Sequence, residues 1–93
     1  TFVEKAVHQL ETKLNTHFSN RIRIGMYIHI SCLIERLVTK TAITSYEDIE
    51  GFEEEHDFFI QQVKDSFAEI IQHYSIEIPT TEIAYLYAYI KNI

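Results

Sequence analysis

His29 is the residue with the most chemical potential, an imidazole set inside an apolar run that extends from Ile22 to Val38. At 3.6 residues per turn, Ile22, Met26, His29, Leu33, Arg36 and Leu37 fall on one side of a helix. A titratable ring and a guanidinium therefore stand two turns apart on a face expected to be dry. The residues alone leave two readings open. One is a core histidine satisfied by a hydrogen bond, with Arg36 extending its stem to the surface. The other is an imidazole that accepts a phosphoryl group, whose charge Arg36 or its neighbours receive. Glu53-Glu54-Glu55-His56 contains a single Glu-x-x-His, a spacing that di-iron bundles use on two helices. One copy beside Gly51 reads as a solvated turn, and no metal or other cofactor is expected. Cys32 has no base in view and reads as a small buried thiol. His8, His17 and His73 lie at the edges of their stripes and read as surface residues. Tyr85, Tyr87 and Tyr89 give the last helix three phenols, which usually pack with their hydroxyls at a rim.

Helices must position these groups. Val3, Val7, Leu10 and Leu14 recur at i, i+4, i+7 and i+11, one stripe of a helix over about residues 2–17. Ser19 or Asn20 can cap a second helix running to about Thr39, apolar nearly all round and so expected in a bundle centre or a subunit interface. Thr39–Ser45 loses the pattern, and Asp48–Gly51 is expected to form at most a short helical turn. From Glu54 to Tyr74 the period returns through Phe59, Val63, Phe67, Ile70, Ile71 and Tyr74. Pro79 ends that run. Thr80 or Thr81 then caps a last helix through Ile83, Leu86, Tyr87, Ile90 and Ile93. The expected fold is all-α, an antiparallel bundle of four main helices with a possible short fifth.

Length and charge narrow the function classes. Ninety-three residues make one domain. Two glycines and one proline leave little material for hairpins or phosphate-cradling loops. The net charge of −6 is unevenly placed: residues 1–46 are basic by three, whereas Glu47–Asp57 hold seven acids and no Lys or Arg. Without a dense Lys/Arg cluster, direct nucleic-acid contact is not expected. No apolar run reaches the roughly 18–20 residues of a membrane span. A single cysteine suits a reducing compartment, so a cytoplasmic location is expected. The chain starts at Thr1 and stops at Ile93 inside an apolar pattern, and it is expected to be a piece of a longer multidomain protein.

Arg21 through Thr39, "RIRIGMYIHISCLIERLVT", resembles the first histidine helix of the PTS regulation domain (PRD), a helical module of bacterial transcription regulators. Tyr74 through Tyr89, "YSIEIPTTEIAYLYAY", is similar to that domain's final segment, in which a proline and then a glutamate open the last helix. The two segments together span essentially the whole chain. "GMYIHISCLIERL" is more similar to the PRDs of LevR-type, sigma-54-dependent activators than to those of BglG-type antiterminators.

The resemblance implies a non-enzymatic regulator of sugar uptake or utilisation under control of the phosphotransferase system. It implies the phosphocarrier HPr or an enzyme II B component as phosphoryl donor, and a homodimer whose packing responds to phosphorylation. Carried over, the phosphoacceptor is His29, and the arginine and acid that support the switch are Arg36 and Glu82. Tyr89 stands where the pattern places a second histidine, and a phenol does not replace an imidazole as acceptor. Ile28 stands where the antiterminator branch has an aspartate. The alternatives are a dimerisation scaffold that is never phosphorylated, within the same type of regulator, and the PRD of a BglG-type antiterminator. By periodicity Glu82, Tyr85 and Tyr89 share one side of the last helix. Glu82 is therefore expected to hydrogen-bond His29 before phosphorylation and repel it afterwards. A first-turn acid that merely favours the helix dipole is the duller expectation for Glu82. The breadth of the second helix's apolar surface also predicts a dimer.

Overall fold

A computed structural model describes residues 1–91, and every element in it is helical. The order is α1 (Phe2–Lys13), α2 (Asn20–Val38), α3 (Ile49–Glu55), α4 (Asp57–Ser66), α5 (Ala68–Tyr74) and α6 (Thr80–Lys91). The all-α expectation holds. Ile93, expected at the end of the last helix, lies outside the described residues.

Local sequence explains most helix ends. Thr1 opens α1 with a capping box: its hydroxyl accepts the Glu4 N–H at 3.2 Å, and Glu4 reaches back to the start of the chain. Ser19 caps α2 by accepting the Ile22 N–H at 3.3 Å. Asp48 caps α3 through the Gly51 N–H, from a left-handed backbone (φ 57°) that an aspartate tolerates. Neither expected threonine cap forms at α6. Pro79 contributes its carbonyl to the Glu82 and Ile83 N–H groups instead, and the Thr81 hydroxyl turns outward to the Ile43 carbonyl at 2.7 Å.

The stretch expected as one helix from Glu54 to Tyr74 is three elements, because α3 extends to Glu55 and the chain kinks at His56 and Phe67. These are kinks and not loops. At each junction one helix ends and the next begins on the same residue: His56 N–H bonds the Phe52 carbonyl and Ile60 N–H the His56 carbonyl, as Phe67 N–H bonds Val63 and Ile71 N–H bonds Phe67.

The core joins Val7 and Leu10 of α1, Met26, Ile30 and Leu33 of α2, Val63 of α4, Phe67, Ile70 of α5, and Ile83 and Leu86 of α6. Helix α1 packs on α2, α4 and α5, while α6 packs on α2, α3 and α4. The pairs Arg36 with Glu82 and Gly25 with Tyr89 show that α2 and α6 run antiparallel. Of the two places expected for α2, the bundle centre is excluded: Ile24 and Ile28 are 59% and 62% exposed, one turn apart on its outer face. Cys32, one further turn along that face, is exposed and not a buried thiol.

Candidate functional site

The site lies where α2 and α6 cross. Glu82 occupies the first turn of α6 and has no solvent exposure. Arg36, in the last turn of α2 and 28% exposed, meets it with two parallel bonds, Nε to Oε2 at 2.9 Å and Nη2 to Oε1 at 2.8 Å. The main-chain N–H of Ile43, in the loop after α2, donates to Oε2 at 2.9 Å. Two planar groups bonded in this fork fix each other's orientation as well as their distance. Neighbouring residues extend the latch. Thr81 holds the Ile43 carbonyl, and Tyr85, one turn after Thr81, donates to the Ser45 carbonyl at 3.1 Å. The 43–45 segment is thus stitched to one face of α6 by three consecutive side-chain positions of that face.

Burial pushes the Glu82 carboxyl up. The Arg36 fork, the Ile43 N–H and the charges of Arg36 and His29 outweigh it, and the group rests below the ordinary carboxylate value. Glu82 is therefore an ion-pair partner, and the dipole explanation of it is insufficient.

His29 is half-buried, two turns before Arg36 on α2. Helical side chains incline toward the N-terminus, so the Arg36 stem leans in the direction of His29. Burial, and then the Arg36 charge, lower the imidazole pKa, while Glu82 acts in the opposite direction. Burial and Arg36 both favour the neutral ring. Its Nε2 is enclosed with no hydrogen-bond partner among the described residues, which departs from the rule that buried polar atoms are paired. The expected His29–Glu82 hydrogen bond is therefore replaced. Glu82 spends its acceptor capacity on Arg36 and Ile43, because a bidentate guanidinium outcompetes a neutral ring for a buried carboxylate.

Tyr89 lies beside His29, ring centroids 5.7 Å apart and tilted by 35°. Its hydroxyl rests over Gly25, one turn before His29. A Cβ at Gly25 would stand against that hydroxyl and 2.7 Å from the ring carbon that bears it. Glycine inside a helix costs about 1 kcal/mol relative to alanine, so Gly25→Ala would ordinarily stabilise α2. Here it is expected to lower Tm by displacing a rigid phenol. In a Tyr89→Ala background the same substitution is expected to raise Tm, and thermal melts of the four combinations check the reversal of sign.

The structure thus unites all four residues singled out in the sequence, His29 beside Tyr89 and Arg36 on Glu82. Sequence reasoning missed the rest of the arrangement. Gly25 carried a signal, since an isolated glycine in a helical pattern usually has a packing reason. Ile43 carried none, because its main chain does the work. A second buried acid was also missed: Glu11 of α1 accepts from Arg23 of α2 and from the Phe18 N–H at 2.7 Å. Burial raises the Glu11 carboxyl, but the Phe18 N–H and Arg23 together bring it below its ordinary value. Helix α2 is therefore pinned near both ends by an arginine–glutamate pair that also gathers a loop N–H. His8, His17 and His73 are exposed, as expected. His56 is half-buried and stacks on Tyr87 at 4.2 Å and Phe52 at 5.0 Å, so it is not part of a solvated turn, whereas Glu53, Glu54 and Glu55 are exposed. Among the described residues no three His, Cys, Asp or Glu side chains converge as a metal site, and no helix is long and apolar enough to cross a membrane.

These lowered values set a pH dependence. An imidazole whose folded pKa is depressed takes up protons first in the unfolded chain, so stability falls as pH drops below about 6.5. Glu11 and Glu82 contribute stability above the ordinary value of 4.5 that is lost as pH falls further. Denaturant midpoints measured against pH are expected to show both steps, with the upper one missing in His29→Gln.

Compared with known families, residues 4–93 match the model of the PRD domain. The chain belongs to the PRD family. PRDs are regulatory, non-catalytic domains of regulators governed by the phosphotransferase system, and the helical architecture agrees with that membership. No curated protein and no solved structure matches the chain.

Proposed function

We propose that this PRD is a phosphorylation switch in a bacterial transcription regulator of sugar uptake or utilisation, with His29 as phosphoacceptor and HPr or an enzyme II B component as donor. The observation that carries the reading is the half-buried His29, its Nε2 without a hydrogen-bond partner and its charged form disfavoured by burial, on the same helix as an arginine already committed to a buried glutamate. A phosphoryl group adds roughly −1.5 to −2 charges and three strong acceptor oxygens. In an apolar setting that charge requires a cation. Arg36 is the nearest candidate on the same face of α2, and a dianion competes with the single charge of Glu82 for it. Drawing Arg36 toward His29 leaves Glu82 buried with only the Ile43 N–H, so the 43–45 segment and the start of α6 must repack. The regulator's attached domains would read that repacking, in an activator of the LevR type, through a homodimer in the cytoplasm.

Two observations favour a second reading, a dimerisation scaffold that is never phosphorylated. Ile24 and Ile28 leave an apolar outer face on α2, and Tyr89 occupies the second histidine's place. A single experiment separates the two. Incubated with phosphorylated HPr and phosphorylated enzyme II B, the chain is expected to take up acid-labile label that His29→Ala does not. Absence of label from the wild type, or its retention in His29→Ala, leaves only the scaffold.

A further inference from the structure

We infer that His29 accepts the phosphoryl group at Nδ1 and not at Nε2. The inference rests on the reading of His29 as acceptor and concerns which of its two nitrogens meets the donor. Phosphoryl transfer needs attacking and leaving atoms in line with phosphorus, so the attacking lone pair must be open to a group larger than water. Nε2 has no open surface and no partner, and Nδ1 is not sealed in that way. The wall beside the ring is Tyr89, whose phenol is seated over Gly25, where any Cβ would push it away. Tyr89, held over Gly25, positions the ring, and the burial of Nε2 leaves Nδ1 as its open nitrogen.

The tautomer is fixed by the choice of attacking nitrogen. For Nδ1 to present a lone pair, the proton of the neutral ring must sit on Nε2, inside the enclosed edge. In the step itself, the Nδ1 lone pair forms a bond to phosphorus, and the phosphorus–nitrogen bond of a donor phosphohistidine, protonated on its other ring nitrogen, breaks. The donor imidazole leaves neutral with that electron pair, and the ring of His29 takes over the positive charge. The three phosphoryl oxygens pass to His29 unchanged, and the Nε2 proton stays where it was, so no base is required. This accounts for a catalytic-looking histidine without a hydrogen-bonded acid behind it.

The isomer is read from the coupling between ring nitrogen and phosphorus by NMR, using chain labelled with ¹⁵N-histidine and His29→Ala to assign the signal. Two donors are compared, phosphorylated HPr or enzyme II B in one arm and the small chemical donor phosphoramidate in the other. The expected result is coupling to Nδ1 of His29 in both arms, with a mixture of isomers when phosphoramidate acts on the urea-unfolded chain. Coupling to Nε2 as the main product in either native arm overturns the inference while leaving His29 as acceptor. Labelling of Nδ1 by phosphoramidate without labelling by either protein donor upholds the inference and removes the proposed donors. No label on His29 from any source overturns both.

Discussion

Replacing Arg36 with leucine is expected to destabilise the domain by about 3–5 kcal/mol, because it strips the cation from a carboxylate with no solvent exposure. In a domain of this size that corresponds to a fall in Tm of at least about 12 °C. The Ile43 N–H would remain on Glu82, but one neutral donor does not offset a buried charge. The converse substitution, Glu82→Leu, is expected to cost less, since Arg36 keeps a route to solvent. The double variant Arg36→Leu/Glu82→Leu is expected to recover much of the loss, leaving chiefly the cost of the unpaired Ile43 N–H, about 1–3 kcal/mol. Denaturant melts of the four proteins form a double-mutant cycle. Additive losses would show that the two side chains do not act as a pair.

His29→Leu is expected to do the opposite to stability. Its Nε2 is buried without a partner, so removing the imidazole removes an unpaid desolvation cost, and the variant is expected to gain about 1 kcal/mol. At the same time it is expected to lose all acid-labile label from phosphorylated HPr or enzyme II B. That combination is the signature of a residue kept for chemistry and not for packing. A loss of more than about 1 kcal/mol in His29→Leu would indicate instead that the ring supports the core.

The helices were largely legible because their signals are local. Val3, Val7, Leu10 and Leu14 share a stripe by spacing alone, Ser19 announces the start of α2, and Pro79 forbids a helix through 78. The kinks at His56 and Phe67 were not legible, because the apolar period passes through both. Burial of charge was the larger blind spot. Glu11 and Glu82 look like ordinary helix acids, and only the fold brings Arg23 and Arg36 to them, across 12 and 46 residues. His29 stood out because a ring among isoleucines is locally inconsistent, and such inconsistencies collect at functional sites. The pairing of Glu82 with Arg36, and not with His29, is a competition between partners that periodicity does not rank. The exposure of Cys32 has the same origin: which face of an almost wholly apolar helix turns outward is decided by its neighbours.

The proposed switch turns on one competition, a phosphoryl group on His29 drawing Arg36 away from Glu82. The amide of Ile43 reports it directly, since its hydrogen bond ends on the same Glu82 oxygen that Arg36 Nε holds. Hydrogen exchange at that amide, followed before and after stoichiometric phosphorylation of His29, is predicted to accelerate while amides in the middle of α1 stay protected. An Ile43 amide whose exchange is unchanged on the fully phosphorylated protein would contradict the switch.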